Sequence, residues 1–293
     1  MSIQTVRALV STNKLPPYIP CNNGFYILGV GNDAKTRKGE KVGYLTGVLY
    51  MSPATKIGRL VAQWEAGINA PAWYNDYRKA PNFNRLFKAN MCAQASEGCT
   101  AACLDTAGHG GFSPSVPIGR GRKTILWNLY RDGFTELLRM DVAKLEQRAL
   151  ARGLKPQIRL NGTTDVRWER YLPIRQIMID FPDVDFYDYT KYKLSARSYG
   201  RPTNYKLTFS LSEKETSWGW ALQYLKAGRP VAVVFKSKAD VKTVLDRGTW
   251  RGIPVVDGDE HDVRFYDGAV ITALAPKGVA RNGTGGNFLQ SAE

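Results

Sequence analysis

The second half of the chain alternates short apolar runs with longer segments of helical periodicity. The apolar runs, each ending in polar residues, are 157–165, 184–191, 205–213, 230–237, 253–265 and 268–278. The helical segments are 168–182, 217–228 and 238–248. Strands that alternate with helices of this length are typical of βαβ units and of a largely parallel sheet. The pattern predicts an α/β fold in which residues 154–278 form the strand–helix repeats of a TIM-like, partial barrel.

The first half of the chain has a different pattern. Two short strand-like runs flank the charged connector DAKTRKGE at 33–40, which is typical of a hairpin loop. Apolar positions recur near helical spacing over 124–150, and Gly153 is a candidate C-cap for one or two helices there. Because no segment has the composition of a linker, we expect one α/β domain over 1–293, with residues 1–90 as a β-rich N-terminal elaboration.

Three of the four cysteines, Cys92, Cys99 and Cys103, lie within twelve residues and have the spacing C-x6-C-x3-C. Four cysteines are too few for a disulfide scaffold in a chain of this length, and clustered cysteines in an intracellular chain are typical of metal or redox sites. Three thiolates can bind three irons of a [4Fe–4S] cluster and leave the fourth iron open. A structural zinc ion would need a fourth ligand, from Cys21, His109 or another molecule.

Residues 91–112 are therefore predicted to form a metal or cluster loop. Its predicted metal ligands are Cys92, Cys99, Cys103 and His109. Gly98 and the glycines within 108–111 would allow the backbone to pass close to a cluster. The remaining interpretation is three small buried residues that are neighbours only in sequence.

Polar side chains collect where the predicted strands end. Ligands of parallel α/β folds bind at the carboxyl ends of the strands, because the loops that follow the strands meet there. The candidate catalytic residues at these ends are Asp165, Asp188, Lys191, Asp257 and Asp259. The candidate cofactor-binding residues are Asn161, Thr163, Tyr189, Ser210 and Glu213. We expect these side chains to converge on one rim of the sheet.

Two chemistries could use such a rim. Clustered carboxylates together with His261 are suited to binding Mg²⁺ or Mn²⁺ for phosphodiester hydrolysis. The same polar set is suited to binding S-adenosylmethionine beside an iron–sulfur cluster. A single carboxylate such as Asp165 is also an ordinary helix N-cap, which leaves a purely structural role open.

The charge of the chain points to an anionic partner. Forty-one Lys and Arg residues against 26 Asp and Glu residues give a formal charge of +15. A field this positive attracts phosphates without sequence preference, so nucleic acid is the predicted partner. No apolar run reaches the length of a membrane span, and the first residues lack the apolar core of a signal peptide. We therefore expect a cytoplasmic protein without a membrane partner, and the sequence does not predict an oligomeric state.

Several motifs occur in one order over residues 44–280: CAQASEGCTAACLDTAGHG, IRLNGTTDVRWE, FPDVDFYDYTK, NYKLTFSLSE, VAVVF and VVDGDEHDVRF, followed by ALAPKG. In these motifs and their order the chain resembles the phage gene product 88 family. The family motifs carry over to Cys92, Cys99, Cys103, Asn161, Gly162, Thr163, Asp165, Asp185, Tyr187, Asp188, Tyr189, Lys191, Asp257, Gly258, Asp259, Asp262 and Arg264. Family members usually have Pro after the first cysteine, where this chain has Ala93. The resemblance implies a phage-encoded protein acting in the cytoplasm of the bacterial host, and it implies no settled activity.

Three functions follow from these observations. The first is an iron–sulfur protein similar to radical S-adenosylmethionine enzymes that acts on or near nucleic acid, although the usual cysteine spacing of those enzymes is C-x3-C-x2-C. The second is a nuclease in which Asp165, Asp188, Asp257, Asp259 and His261 bind a divalent metal and the cysteines are structural. The third is a non-enzymatic nucleic-acid-binding phage protein. The sequence does not decide whether the chain is an enzyme.

Overall fold

The computed structural model describes residues 8, 12, 24–31 and 34–293. Its strands are β1 (Gly29–Val30), β2 (Tyr44–Val48), β3 (Lys155–Arg159), β4 (Asp185–Thr190), β5 (Tyr205–Ser210), β6 (Val231–Val234), β7 (Thr249–Trp250), β8 (Ile253–Asp257) and β9 (Ile271–Leu274). Its α-helices are α1 (Ala34–Lys41), α2 (Lys56–Glu65), α3 (Tyr74–Arg78), α4 (Glu97–Ala101), α5 (Ser115–Leu129), α6 (Arg131–Leu150), α7 (Leu172–Asp180), α8 (Ser217–Lys226) and α9 (Lys238–Arg247). Short 3₁₀ helices lie at Phe83–Lys88, Leu104–Thr106, Gly108–Gly111, Trp168–Arg170, Leu194–Arg197, Gly278–Asn282 and Gly286–Phe288.

All nine of these strands belong to one sheet, in the order β1-β2-β3-β4-β5-β6-β9-β8-β7. The strands from β2 to β8 in this order run parallel, while β1 and β7 pair antiparallel at the two ends. The predicted α/β fold with a largely parallel sheet is therefore confirmed. Within the described residues β1 and β7 do not pair with each other. The sheet is consequently open, and the TIM-like barrel is not confirmed.

The strand–helix alternation follows the sequence pattern closely. Five of the six apolar runs contain a strand, the run 157–165 overlaps β3, which begins two residues earlier, and the three helical segments contain α7, α8 and α9. Local caps set the bounds of α9: the Ser237 hydroxyl accepts a hydrogen bond from the Asp240 N–H at 3.0 Å, and Gly248 ends the helix at a φ of 74°. The connection from β4 to β5 departs from the pattern, because it contains the 3₁₀ helix Leu194–Arg197 instead of an α-helix.

The N-terminal part departs from the predicted hairpin. β1 and β2 do pair antiparallel, with Gly29 opposite Val48, but their connector is helix α1 instead of a loop. The connector is rich in Ala, Lys, Arg and Glu, whose helix propensity is high. Residues 1–90 were also expected to be β-rich; the part of this range that the structure describes contains two strands and three α-helices, and β2 belongs to the parallel sheet.

A buried carboxylate holds the first strand against helix α6. Asp141 on α6 accepts hydrogen bonds from the backbone N–H groups of three consecutive residues, Tyr26, Ile27 and Leu28, at 2.8–2.9 Å. The same helix contacts β2 and β3 and buries Phe134 fully in the main hydrophobic core. None of the helices in the described residues is both long and apolar enough to cross a membrane.

Candidate functional site

A cavity of about 170 Å³ lies at the carboxyl ends of the parallel strands. The three clustered cysteines line it together with residues that follow β3, β4 and β5. The predicted site residues found in its wall are Cys92, Cys99, Cys103, Asn161, Thr163, Asp165, Tyr189, Lys191 and Ser210. The expected convergence of strand-end side chains is therefore present for this set. Asp188, Glu213, Asp257 and Asp259 are not among the residues that line this cavity.

The cysteine loop leaves the three side chains half-buried. Cys99 lies on helix α4, Cys103 follows that helix directly, and Cys92 precedes it in a turn. All three are free thiols, and Cys92 Sγ lies 3.8 Å from the backbone oxygen of Thr163. Burial raises the pKa of both Cys92 and Cys103 to about 12. These two groups are therefore neutral thiols at pH 7 unless a metal stabilises their thiolate forms.

The donors of this loop surround a space instead of meeting at one point. Among the described residues, no three His, Cys, Asp or Glu side chains are placed to bind a single metal ion. The backbone of His109 lies in the 3₁₀ helix Gly108–Gly111, whereas its side chain and the whole of Cys21 lie outside the described residues. A [4Fe–4S] cluster binds each thiolate at a different iron, so it requires thiols spaced around a cavity.

Glu213 holds the cysteine loop to the end of β5. Its carboxylate accepts hydrogen bonds from the Ser96 hydroxyl at 2.6 Å and from the Gly98 N–H at 2.8 Å. Ser96 in turn caps helix α4 by accepting from the Cys99 N–H at 3.2 Å. Glu213 is not among the residues that line the cavity, and in this structure its carboxylate positions the loop that carries Cys99.

Gly98 is needed for a close approach of two backbone segments. A Cβ atom at this position would lie 2.4 Å from the backbone oxygen of Gly285 and 2.7 Å from the Cβ atom of Phe288. The C-terminal segment therefore packs directly on helix α4, and Phe288 also lines the cavity. The sequence predicted that Gly98 lets the backbone pass close to a cluster. The close approach in the structure is between Gly98 and this C-terminal segment.

The turn NGTTD after β3 is organised by Asn161. The side-chain oxygen of Asn161 accepts from the Thr164 hydroxyl, the Val166 N–H and the Trp168 Nε1–H at 2.8–3.0 Å. Its amide nitrogen donates to Asp188 Oδ2 at 3.0 Å. The polar atoms of Asn161 are thus engaged with the protein itself, and its effect on a ligand is to shape the turn that carries the neighbouring cavity residues.

Two of the predicted catalytic carboxylates belong to a buried network around Arg197. The guanidinium of Arg197 contacts Glu169 at 2.7 Å and Asp165 at 3.3 Å, and it donates to the Tyr205 hydroxyl at 2.9 Å. The Tyr205 hydroxyl donates to Asp188 Oδ2 at 2.6 Å. Burial raises the pKa of Asp165, against the lowering influence of Arg197. Both carboxylates are therefore engaged with protein partners, Asp165 in the wall of the cavity and Asp188 outside its lining.

Lys191 brings a positive charge to the cavity wall. Its ammonium group donates to Ser210 Oγ at 2.8 Å and lies 4.8 Å from the ring centroid of Phe288. Within the described residues it makes no ion pair. A cation placed here stabilises negative charge on an occupant of the cavity.

Arg159 is a cavity residue that the sequence did not single out. It is buried at the end of β3, with its guanidinium 4.7 Å from the ring centroid of Tyr189 and 3.7 Å from Asp262. The sequence run QIRLNG contains a signal for this residue. Arg159 alternates with the apolar Ile158 and Leu160, so its side chain lies on the opposite face of the strand from theirs. An arginine at such a position faces either solvent or a site.

Asp257 and Asp259, at the end of β8 and in the turn that follows it, have hydrogen-bond and ion-pair partners within the protein. Asp257 accepts a hydrogen bond from the Asp259 N–H at 2.7 Å, and Asp259 pairs with Lys277 at 2.6 Å. His261 contacts Arg264, and burial followed by that arginine lowers the pKa of the imidazole. In the described residues these groups do not assemble with Asp165 or Asp188 into a metal site. The divalent-metal hypothesis therefore gains no support from their placement.

The stability of the protein is expected to depend on pH through Asp188. Burial raises the pKa of this carboxyl group to about 7, although hydrogen bonds from Tyr205 and Asn161 act in the opposite direction. A carboxyl group whose pKa is higher in the folded than in the unfolded state binds its proton more tightly in the folded state. Because of this group, the folded state is less stable at pH 7 than at lower pH, and its stability rises as pH falls towards 4. We expect wild-type protein to gain about 2 kcal/mol in free energy of unfolding, relative to Asp188→Asn, between pH 7 and pH 5.

Urea unfolding of both proteins at the two pH values measures this difference. The effect of the substitution that does not depend on pH cancels, because each protein is compared only with itself at the other pH. Equal changes for the two proteins would show that Asp188 is already ionised with an ordinary pKa.

A protein-family model described as Gene product 88 matches residues 27–288 of the chain. The matched part includes the three clustered cysteines, every strand of the sheet and the 3₁₀ helix that ends at Phe288. Comparison with curated proteins and with solved structures found no match. The geometry of the site therefore carries the functional argument.

Proposed function

The chain belongs to the gene product 88 family, and we propose that it is an iron–sulfur protein whose cluster is held by Cys92, Cys99 and Cys103. One observation carries the proposal: the three thiols of a twelve-residue segment line a single cavity at the carboxyl edge of a parallel sheet. Thiolates are the preferred ligands of iron–sulfur clusters, and three of them leave one iron open. Lys191 and Arg159 in the same wall compensate negative charge of the thiolates.

We propose S-adenosylmethionine as the cofactor that shares this cavity. When bound, the cluster would supply one electron to the cofactor. The protein's part is to orient the cofactor: Thr163, Tyr189 and Ser210 line the space, and Lys191 offers a cation to a carboxylate. Phe288 and the aliphatic wall exclude water from the site.

The lining of the cavity supports the partial barrel that the sequence predicts. Neighbouring strands in a sheet are about 4.8 Å apart, so β3, β4, β5, β6 and β9 would span about 19 Å if they lay flat. Residues on or directly after all five strands line one cavity of about 170 Å³. A sheet curved into a partial barrel would direct all five strand ends towards one such cavity.

We further propose that the protein acts on or near nucleic acid, as a phage-encoded protein in the cytoplasm of the bacterial host. The formal charge of +15 supports a polyanionic partner. A non-enzymatic nucleic-acid-binding role is the second candidate, and a cleft lined by Lys and Arg next to the cysteine cavity favours it. Salt-sensitive binding of nucleic acid by protein that contains no cluster and shows no turnover would distinguish this role from that of an enzyme.

Anaerobic purification tests the cluster directly. We expect brown protein with broad absorption at about 400 nm and about four irons and four sulfides per chain. Addition of S-adenosylmethionine to the reduced protein is expected to change its electron paramagnetic resonance spectrum, because the cofactor binds next to the open iron. Colourless protein without iron would contradict the proposal, and one zinc per chain would assign the cysteines to a structural site. Mn²⁺-dependent DNA cleavage that Asp257→Ala abolishes would instead support the nuclease.

A further inference from the structure

A second, larger cleft adjoins the cysteine cavity. It has a volume of about 1160 Å³ and is lined by helices α1 and α5 and by the loops that follow β8 and β9. The cleft and the cavity share lining residues, among them Gly162, Thr163 and Lys277. A ligand bound in the cleft would therefore lie next to the three cysteines.

The lining of this cleft is strongly basic. Eight Lys and Arg side chains face it, against two carboxylates. Both carboxylates already have cationic partners: Asp259 pairs with Lys277 at 2.6 Å, and Asp262 lies 3.7 Å from Arg159. The acidic residues therefore do not neutralise the remaining cations of the cleft.

Four of these cations make neither an ion pair nor a side-chain hydrogen bond within the described part of the chain. They are Arg37, Lys123, Lys238 and Arg281. They come from four separate elements, namely α1, α5, the start of α9 and the 3₁₀ helix Gly278–Asn282. Burial lowers the pKa of Lys123 to about 8, so an anion beside this ammonium group would favour its charged form. Uncompensated cations from several elements around one concavity attract a ligand with several negative charges.

The shape of the site favours a single strand over a duplex. Reading a duplex requires a helix or ribbon that projects into a groove, whereas a concave cleft can enclose an unpaired strand. Tyr26 and Tyr50 contribute aromatic rings to the lining, and such rings stack with bases without regard to sequence. The adjoining cavity is small, and enzymes that act on a base must take it out of the stack.

We propose that the cleft binds a single-stranded polynucleotide, with its phosphates on Arg37, Lys123, Lys238 and Arg281 and one unstacked nucleotide directed towards the cysteine cavity. The nucleic-acid partner rests on the proposed function, but binding in the cleft does not require the cluster. Because the contacts are to phosphates and ring faces, the site accepts DNA and RNA of any sequence.

Binding of fluorescein-labelled oligonucleotides, followed by anisotropy over a series of salt concentrations, tests the proposal. The test variant is Lys238→Gln/Arg281→Gln. The control is Lys155→Gln/Lys226→Gln, which removes the same charge at the opposite edge of the sheet, where both lysines are exposed. We expect the test variant to bind a single strand about tenfold more weakly than wild type at 0.15 M salt, with a salt slope smaller by about 1.4. The control is expected to stay within about twofold of wild type.

Several outcomes would overturn the proposal. Equal losses of affinity in the test and control variants would show that binding depends only on the net charge of the protein. Tighter binding of duplex than of either single-stranded DNA or single-stranded RNA would exclude a single strand as the ligand. The cluster is assayed separately: apoprotein from a Cys99→Ser variant is expected to retain oligonucleotide binding. Colourless protein that still binds through the cleft would remove the cluster proposal alone, and brown protein that does not bind would remove the cleft proposal alone.

Discussion

Cys92→Ser, Cys99→Ser and Cys103→Ser variants are each expected to fall from about four irons per chain to below about one, and to lose the absorption at about 400 nm. Each thiol lines the same cavity, and each would bind a separate iron. The hydroxyl of serine has nearly the shape of the thiol but is a poor ligand for iron. Loss of any one ligand therefore releases the cluster, which anaerobic purification followed by iron analysis measures.

Cys21→Ser is the matched control for these three variants. Cys21 lies outside the residues that the family model matches, so its substitution is expected to leave the iron content unchanged. Thermal unfolding of the metal-free forms separates ligand loss from misfolding, because Ser replaces half-buried side chains of similar size. Full iron content in all three clustered variants would contradict the assignment of the ligands.

Arg197→Met is expected to lower the free energy of unfolding by about 3–5 kcal/mol. Arg197 and Glu169 are both fully buried, with Nε and Oε1 2.7 Å apart. Removal of the guanidinium leaves the Glu169 carboxylate in the core without its cation and deprives Asp165 of its partner. Urea unfolding at neutral pH measures the loss.

A second pair of variants separates burial from pairing. Arg139→Met breaks an ion pair of 2.6 Å with Asp180, but those side chains are 27% and 35% exposed, so we expect a loss of about 0–1 kcal/mol. The double variant Glu169→Gln/Arg197→Met is expected to be more stable than Arg197→Met, because it removes the unpaired charge. A loss for Arg197→Met no larger than that for Arg139→Met would show that the buried network does not stabilise the fold.

Much of the site was accessible from the sequence because parallel strands end at one edge. Lys191, Ser210 and Thr163 were predicted from their positions after apolar runs, and all three line the cavity. The same rule selected Asp188, which instead accepts hydrogen bonds from Tyr205 and Asn161 outside the lining of the cavity. Position after a strand predicts the edge of the sheet, but it does not predict which partner a side chain reaches.

Basic residues were the main omission. Arg159 and Arg197 both occur in a chain with 41 Lys and Arg residues, where an individual arginine is ordinarily a surface residue. Their burial depends on Asp262 and Glu169, which are distant in sequence and become partners only when the strands assemble. An arginine in this chain is therefore buried where the tertiary fold brings an acidic partner next to it.

The sequence by itself determined the alternation of strands and helices, because periodicity, caps and helix propensity act over a few residues. It also placed Cys92, Cys99 and Cys103 in one short segment, although it left open whether their side chains meet at one site. Only the tertiary structure decided that β9 lies between β6 and β8, that the sheet is open, and that the cysteine cavity adjoins a basic cleft. These features depend on contacts between residues far apart in the chain, and such contacts form only when the complete core packs.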